Sequence, residues 1–173
     1  MNHQVLFPII ELLEKNNIKY ALGGSGLLYY LNLIGSVNDW DITVECPKDK
    51  LVKAINGYDW EEQRSGDYPF ASQYRLSIGS HNIDFIGSFA FYAEDEVLKL
   101  PVSVYGNWDG INLSSPEIWY IAYFLMGRKE KARLILSYLK ENKVKVNELL
   151  IRDLLKKDSL NNEIRQEFKL LIQ

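Results

Sequence analysis

Three aspartates stand at positions where they could bind a metal ion together. Asp39 and Asp41 lie in a segment, residues 39–44, that alternates polar and apolar residues and therefore predicts a half-buried strand. Side chains at i and i+2 of a strand lie on the same face, so both carboxylates point the same way. Asp84, in a second predicted strand, is the candidate third carboxylate. Mg²⁺ and Mn²⁺ prefer oxygen ligands of this kind, so the sequence predicts a divalent-metal site.

A second motif, Gly23-Gly24-Ser25, lies where a predicted strand is followed by a predicted helix. Backbone N–H groups at the start of a helix attract anions, and glycine lets a phosphate approach the backbone closely. The Ser25 hydroxyl could bind the anion or cap the helix. No Gly-Lys-Ser/Thr follows at the Walker A spacing, which disfavours a kinase-type loop. Alone, a Gly-Gly pair is typical of a turn and Asp-x-Asp of a solvent-facing strand, so the hypothesis depends on their combination.

The order of the two motifs resembles the DNA polymerase beta-like nucleotidyltransferase superfamily, in which an apolar residue and Gly-Gly/Ser precede Asp-x-Asp/Glu. Residues 22–25 and 39–42 match this pattern. The resemblance implies that Asp39 and Asp41 bind Mg²⁺ or Mn²⁺, that Asp84 is the third catalytic and metal-binding carboxylate, and that Gly23, Gly24 and Ser25 contact the triphosphate. The implied reaction moves an NMP group from an NTP to an acceptor and releases pyrophosphate.

A later segment resembles the small bacterial members of this superfamily, which include toxin-type and antibiotic-modifying proteins. It consists of Ser115-Pro116-Glu117, a long apolar run and Gly127-Arg128. Such relatives often carry a lysine near the position of Tyr123, so the triphosphate is expected to meet Arg128 instead, or one of the other cations, Lys129, Lys131 and Arg133. The alternative is that these four residues form an ordinary solvent-exposed basic surface with no role in binding.

The absence of that lysine motivates a second hypothesis, in which the chain is a catalytically weak nucleotide-binding or interaction protein, for example one half of a toxin–antitoxin pair. The acceptor of an active enzyme could be an aminoglycoside-like small molecule, a tRNA end or a protein side chain. Charge is unevenly distributed: residues 1–113 carry 8 basic and 15 acidic side chains, whereas residues 114–173 carry 12 and 8. The basic second part favours an anionic ligand.

The elements that position these residues follow from periodicity and from turn residues. Helices are predicted for residues 5–16, 25–33 and 116–126. A further helix is predicted to begin at Pro47, and three more are predicted to follow Gly127. Strands are predicted for residues 18–22, 39–44, 74–78, 82–86 and 102–105, the third and fourth forming a hairpin, while residues 61–67 resemble a loop. The fold class is therefore α+β, with a mixed, mostly antiparallel sheet flanked by helices. We expect a core at 1–113 and a helical region at 114–173 packed on it.

Composition restricts the remaining possibilities. One cysteine, Cys46, excludes an intramolecular disulfide, and two histidines exclude a Cys/His zinc cluster. The N-terminal residues do not resemble a signal peptide, and no uncharged stretch reaches the roughly 20 residues that span a bilayer. We therefore expect a cytoplasmic protein without a membrane partner, which binds an NTP and an acceptor and could have a partner protein.

Overall fold

A computed structural model of the chain describes residues 2–93 and 96–173. The α-helices are α1 (Phe7–Lys15), α2 (Gly24–Tyr30), α3 (Lys48–Ala54), α4 (Pro116–Leu125), α5 (Lys129–Glu141), α6 (Glu148–Leu155) and α7 (Asn162–Leu171). The strands are β1 (Lys19–Leu22), β2 (Trp40–Glu45), β3 (Glu61–Gln63), β4 (Tyr74–Ile78), β5 (Ile83–Gly87), β6 (Ala90–Ala93), β7 (Glu96–Lys99), β8 (Val104–Trp108) and β9 (Ile111–Ser114).

Seven of these strands form one sheet in the order β3-β4-β5-β2-β1-β9-β8, and β6 and β7 form a separate antiparallel pair. Within the large sheet, β2 pairs in parallel with β5 and β1 in parallel with β9, while the other four neighbours are antiparallel. The predicted fold class, a mixed but mostly antiparallel sheet flanked by helices, is confirmed. The predicted hairpin is the β4–β5 pair.

The register between β2 and β5 decides which side chains share a face. Asp41 lies opposite Asp84, and Trp40 lies opposite Ile83. The side chains of Trp40 and Ile83 are buried in the core. Since successive residues of a strand point to opposite faces, the two aspartates emerge together on the other side of the sheet.

A single hydrophobic cluster joins the sheet to the C-terminal helices. Leu22 and Phe85 of the sheet belong to the same buried cluster as Trp119 of α4 and Phe168 of α7. Strand β9 ends at Ser114 and α4 begins at Pro116, so only Ser115 separates them. In the ranges 2–93 and 96–173, no helix combines the length and the apolar composition needed to cross a bilayer.

Several elements differ from the sequence-based expectation. Residues 61–63, predicted as loop, form the edge strand β3, because pairing with β4 requires only backbone groups and tolerates the polar Glu61-Glu62-Gln63. Strands β6, β7 and β9 were not predicted. The predicted Ser25 cap does not form either: Gly23 is the N-cap residue of α2, and Ser25 lies inside the helix.

Candidate active site

The three predicted carboxylates lie together at the end of the sheet. Asp39, immediately before β2, is exposed, whereas Asp41 and Asp84 are half-buried. One carboxylate oxygen from each residue falls within 4.8 Å of the others. The i, i+2 spacing and the parallel register produce this arrangement, and it is a donor set that fits a hard divalent cation.

The electrostatics of the group also fit a cation. Burial, and then the charges of Asp39 and Asp84, raise the pKa of Asp41 from 3.8 to about 7. Burial raises the pKa of Asp84 as well, and Asp39 adds to that increase while Arg75 opposes it. Like charges held close together disfavour ionisation, so these shifts indicate negative charge that the surrounding protein does not fully neutralise.

Gly24 lies directly against this group. Its φ of +53° is in the left-handed region, and a Cβ built there would stand 1.8 Å from Oδ2 of Asp41. The neighbouring Gly23 donates its N–H to the backbone oxygen of Asp41 at 2.8 Å, and a Cβ on it would meet the Trp119 indole at 1.9 Å. Both positions therefore require glycine, because a Cβ at either would clash with a neighbouring side chain. Gly24 requires it also because of its positive φ.

Ser25 is turned toward Asp39. Its hydroxyl donates to the backbone oxygen of Asp39 at 2.8 Å and lies 3.2 Å from Oδ1 of the same residue. The side chain is almost fully buried. Ser25 thus positions the exposed carboxylate, and its predicted contact with a phosphate stays a prediction.

Arg75, on β4, supplies a positive charge beside the third carboxylate. Its Nη2 lies 3.3 Å from Oδ2 of Asp84, and its Nε is buried without a hydrogen-bond partner among the described residues. Arg75 belongs to the strand that precedes the strand of Asp84 in the chain. In the structure it lines the same cavity as the three aspartates.

That cavity has a volume of about 110 Å³, and its other wall is largely aromatic. Trp119 packs against Phe89, with ring centroids 5.3 Å apart, and against Tyr123 at 5.5 Å. Sequence reasoning missed Trp119 as a site residue, because the apolar run of α4 resembled an ordinary buried helix. The i, i+4 spacing of Trp119 and Tyr123 was the available signal, since it places both side chains on one helix face. The lining consists of Asp39, Asp41, Phe70, Ser72, Arg75, Asp84, Ile86, Phe89, Trp119, Tyr123, Met126 and Arg128.

The four candidate cations of the second part separate into two groups. Arg128 lines the carboxylate cavity, and its charge lowers the pKa of Asp41. Lys131 places its ammonium over the ring of Tyr123, 5.2 Å from the centroid. Lys129 and Arg133 instead line a different cavity, which α7 helps to form. Arg128 therefore lies in the same cavity as the three carboxylates, and its predicted contact with the triphosphate stays a prediction.

Comparison with solved structures identifies the fold. A crystal structure of ANT(2'')-Ia in complex with adenylyl-2''-tobramycin superposes with a TM-score of 0.58 at 15% identity, covering 98% of each chain. The chain has the nucleotidyltransferase fold. A Thermotoga maritima protein provisionally described as a nucleotidyltransferase matches this nucleotidyltransferase fold with a TM-score of 0.59 at 21% identity, over 80% of this chain and 92% of that one.

The solution structure of the antibiotic-resistance factor ANT(2'')-Ia gives a TM-score of 0.56 at 14% identity, over 96% of this chain and 90% of the other. No protein-family description matches the sequence, and no curated protein is detectably similar to it. The resemblance that the motifs indicated is confirmed at the level of the nucleotidyltransferase fold, and one of the structural neighbours is described as an antibiotic-resistance factor.

Proposed function

We propose that this chain is a metal-dependent nucleotidyltransferase that moves an NMP group from an NTP to an acceptor and releases pyrophosphate. The observation that carries the proposal is the group of three carboxylates, within 4.8 Å of one another, at the mouth of a cavity that also contains Arg128. The fold agrees, since its structural neighbours are described as nucleotidyltransferases.

Asp39, Asp41 and Asp84 would hold Mg²⁺ or Mn²⁺. A bound divalent ion supplies positive charge that stabilises the negative charge developing on phosphate oxygens. Gly24 leaves room for the Asp41 carboxylate, and Ser25 fixes the backbone from which Asp39 projects. Arg128 lines the same cavity, where it would meet the triphosphate.

Asp84 is suited to receive the proton of the acceptor. In the transfer, the acceptor oxygen forms a bond to the α-phosphorus while the bond from that phosphorus to the bridging oxygen breaks, and pyrophosphate leaves with the electron pair. The acceptor hydroxyl loses its proton in this step. The carboxylate of Asp84, which lies beside those of Asp39 and Asp41, is the group that we propose as the acceptor of this proton.

The nature of the acceptor is a separate question from the chemistry. One structural neighbour was solved with adenylyl-2''-tobramycin, so a small hydroxylated molecule is one candidate. A tRNA end and a protein side chain are the others, and the net positive charge of residues 114–173 favours an anionic acceptor over a polycationic one.

Binding is the first test. Calorimetric titration with Mg²⁺ and each NTP should give a saturable signal with the native protein and none with the double variant Asp39→Asn, Asp41→Asn. Asp59→Asn, which changes an exposed aspartate outside the cavity, should bind as the native protein does. Equal binding by the native protein and the double variant, or no binding by either, would contradict the proposed site.

Transfer is tested with NTPs that carry a radioactive α-phosphate, incubated with pools of cellular RNA, protein and small molecules. Label should enter one pool with the native protein and be lost with Asp84→Asn. Tyr123 stands where relatives often have lysine, and this favours the alternative of a nucleotide-binding protein, such as one member of a toxin–antitoxin pair. Nucleotide binding without labelling of any pool would support that alternative.

A further inference from the structure

The connection between α4 and α5 carries two cations near the site, Arg128 in the lining of the carboxylate cavity and Lys131 over the ring of Tyr123. Gly127 adopts φ +71°, which ends α4 and turns the chain, and Arg128 is the N-cap residue of α5. Lys131 follows in the first turn of that helix. Residues three apart on a helix are neighbours, so these two cations lie close together.

The two faces of this first turn differ. Arg128 and Lys131 are directed to the carboxylate cavity and to the Tyr123 ring, respectively, while Lys129 and Arg133 line the cavity near α7. Neither Arg128 nor Lys131 forms an ion pair with a carboxylate in the described ranges, whereas Lys140, further along α5, pairs with Glu167. Positive side chains are unfavourable at the N-terminus of a helix, where the helix dipole is also positive. An anion that binds there would offset this unfavourable interaction between positive charges.

Tyr123 connects the two cations to the carboxylates. It is 1% exposed and lines the cavity. Burial raises the pKa of its hydroxyl, Asp41 and Asp39 raise it further, and Arg128 lowers it, so the hydroxyl lies among these charges and stays protonated. Within residues 2–93 and 96–173 it has no hydrogen-bond partner. Tyr123 therefore offers its hydroxyl to the cavity as a hydrogen-bond donor, while the face of its ring contacts the Lys131 ammonium.

We propose that Lys131, held on the ring of Tyr123, supplies the cation that binds the terminal phosphates of the NTP, together with Arg128 and the Tyr123 hydroxyl. The inference rests on the proposed function and adds to it a specific role for Tyr123. Tyr123 is a positioning residue for Lys131 and a hydrogen-bond donor to the phosphates. The site should then discriminate a nucleoside triphosphate from a monophosphate through these residues.

The test compares ATP with AMP, each with Mg²⁺, by calorimetry on the whole chain. Lys131→Ala should weaken ATP binding about tenfold, as expected for loss of one charge-assisted contact, and leave AMP binding unchanged. Lys131→Arg should retain most of the ATP affinity. Lys129→Ala is the matched control, because this lysine lies two residues away on the other face and should have no effect.

Two substitutions separate the ring of Tyr123 from its hydroxyl. Tyr123→Phe keeps the ring and should weaken ATP binding only about threefold, whereas Tyr123→Leu removes both the ring and the hydroxyl and should weaken it about thirtyfold, more than Lys131→Ala does. Adding Lys131→Ala to Tyr123→Leu should cause little further loss, because the lysine is already displaced. Thermal melts show whether the Tyr123→Leu variant is folded. If that variant is unfolded, Tyr123→Phe and the Lys131 variants test the proposal without it.

The outcomes distinguish this inference from the function on which it rests. If the native protein binds ATP in a manner that requires Asp39 and Asp41, but Lys131→Ala binds it equally well, the role of Lys131 is wrong and the function stands. An equal loss with Lys129→Ala, or an equal loss for ATP and AMP, would also overturn the role of Lys131. If the native protein binds no NTP, both proposals are wrong.

Discussion

The two walls of the cavity are built in different ways. The sheet wall consists of Asp39, Asp41 and Asp84 with Gly24 beside them, and its geometry depends on strand register and on the absence of a Cβ. The helix wall consists of Trp119, Tyr123 and Arg128, with Lys131 over the Tyr123 ring, and its geometry depends on side chains that pack on one another. A wall fixed by backbone tolerates little substitution, whereas a wall made by side chains can exchange one residue for another. Tyr123 lies on the second wall.

The largest effect is expected from Gly24→Ala, which disrupts the sheet wall. The new methyl group would occupy the place of Oδ2 of Asp41, and a non-glycine residue at φ +53° costs about 1–2 kcal/mol by itself. We expect the protein to lose Mg²⁺ binding and about 2–3 kcal/mol of unfolding free energy, measured by calorimetry and denaturant titration. Gly35→Ala is the control, since nothing lies within 4 Å of its Cβ position. Native-like Mg²⁺ affinity in the Gly24 variant would refute the distinction between the walls.

Asp41→Asn should change the pH dependence of stability. The pKa of Asp41 is about 7 in the folded protein and 3.8 in its ordinary state, so between these values the folded state holds the proton more tightly than the unfolded state. The stability of the metal-free native protein therefore falls as pH rises from about 4 to about 7. Allowing for solvent screening, we expect this contribution to be about 1–2 kcal/mol.

The measurement is chemical denaturation with a chelator at about pH 5 and about pH 8. The native protein should lose more stability between the two conditions than Asp41→Asn does. Metal binding to the native protein should strengthen over the same range, because the cation must displace the proton. If both proteins had the same pH dependence, the three carboxylates would not be coupled as the structure indicates.

Trp119→Phe examines the helix wall. Among the residues that the structure describes, the buried indole Nε1 has no hydrogen-bond partner, so its removal breaks no hydrogen bond there and costs only packing, about 1–2 kcal/mol. Mg²⁺ affinity, measured by calorimetry, should stay within about twofold of the native value, since the sheet wall is intact. A loss of Mg²⁺ binding comparable to that of Gly24→Ala would mean that the two walls are not independent.

Arg75→Gln should have the smallest effect on stability. Its ion pair with Asp84 is partly exposed, and such pairs contribute less than about 1 kcal/mol. The pKa of Asp84 should rise, because Arg75 now lowers it. NMR titration of the Asp84 carboxyl would measure the shift, and an unchanged or lower pKa would contradict the assignment of Arg75 as its counter-charge.

Sequence could predict the sheet wall well, because its features are local. Alternation in residues 39–44 gave the face of Asp39 and Asp41, and a glycine pair after a strand indicated a close backbone approach. The partner of Asp41 was harder to predict. That Asp84 lies opposite it depends on the parallel pairing of β2 with β5, and this pairing is not visible in either segment alone.

The helix wall was largely beyond prediction. The apolar run of α4 is buried on nearly all sides, so periodicity did not reveal which face met the site. Phe70 and Phe89 reach the cavity from segments distant in sequence. Strand β9 was missed as well, although it forms an antiparallel hairpin with β8 through Asp109-Gly110, a dipeptide that is typical of two-residue hairpin turns.

The short connection between β9 and α4 has a consequence for how the chain could be truncated, or its segments exchanged between genes. With Ser115 as the sole residue between a strand of the sheet and the helix that carries Trp119 and Tyr123, the two parts of the chain share one binding cavity without a linker. A fragment ending at residue 113 would hold the three carboxylates but lack Trp119, Tyr123 and Arg128. Exchange of the C-terminal helices between related genes would accordingly replace these parts of the cavity lining in one event, while the three carboxylates stayed the same.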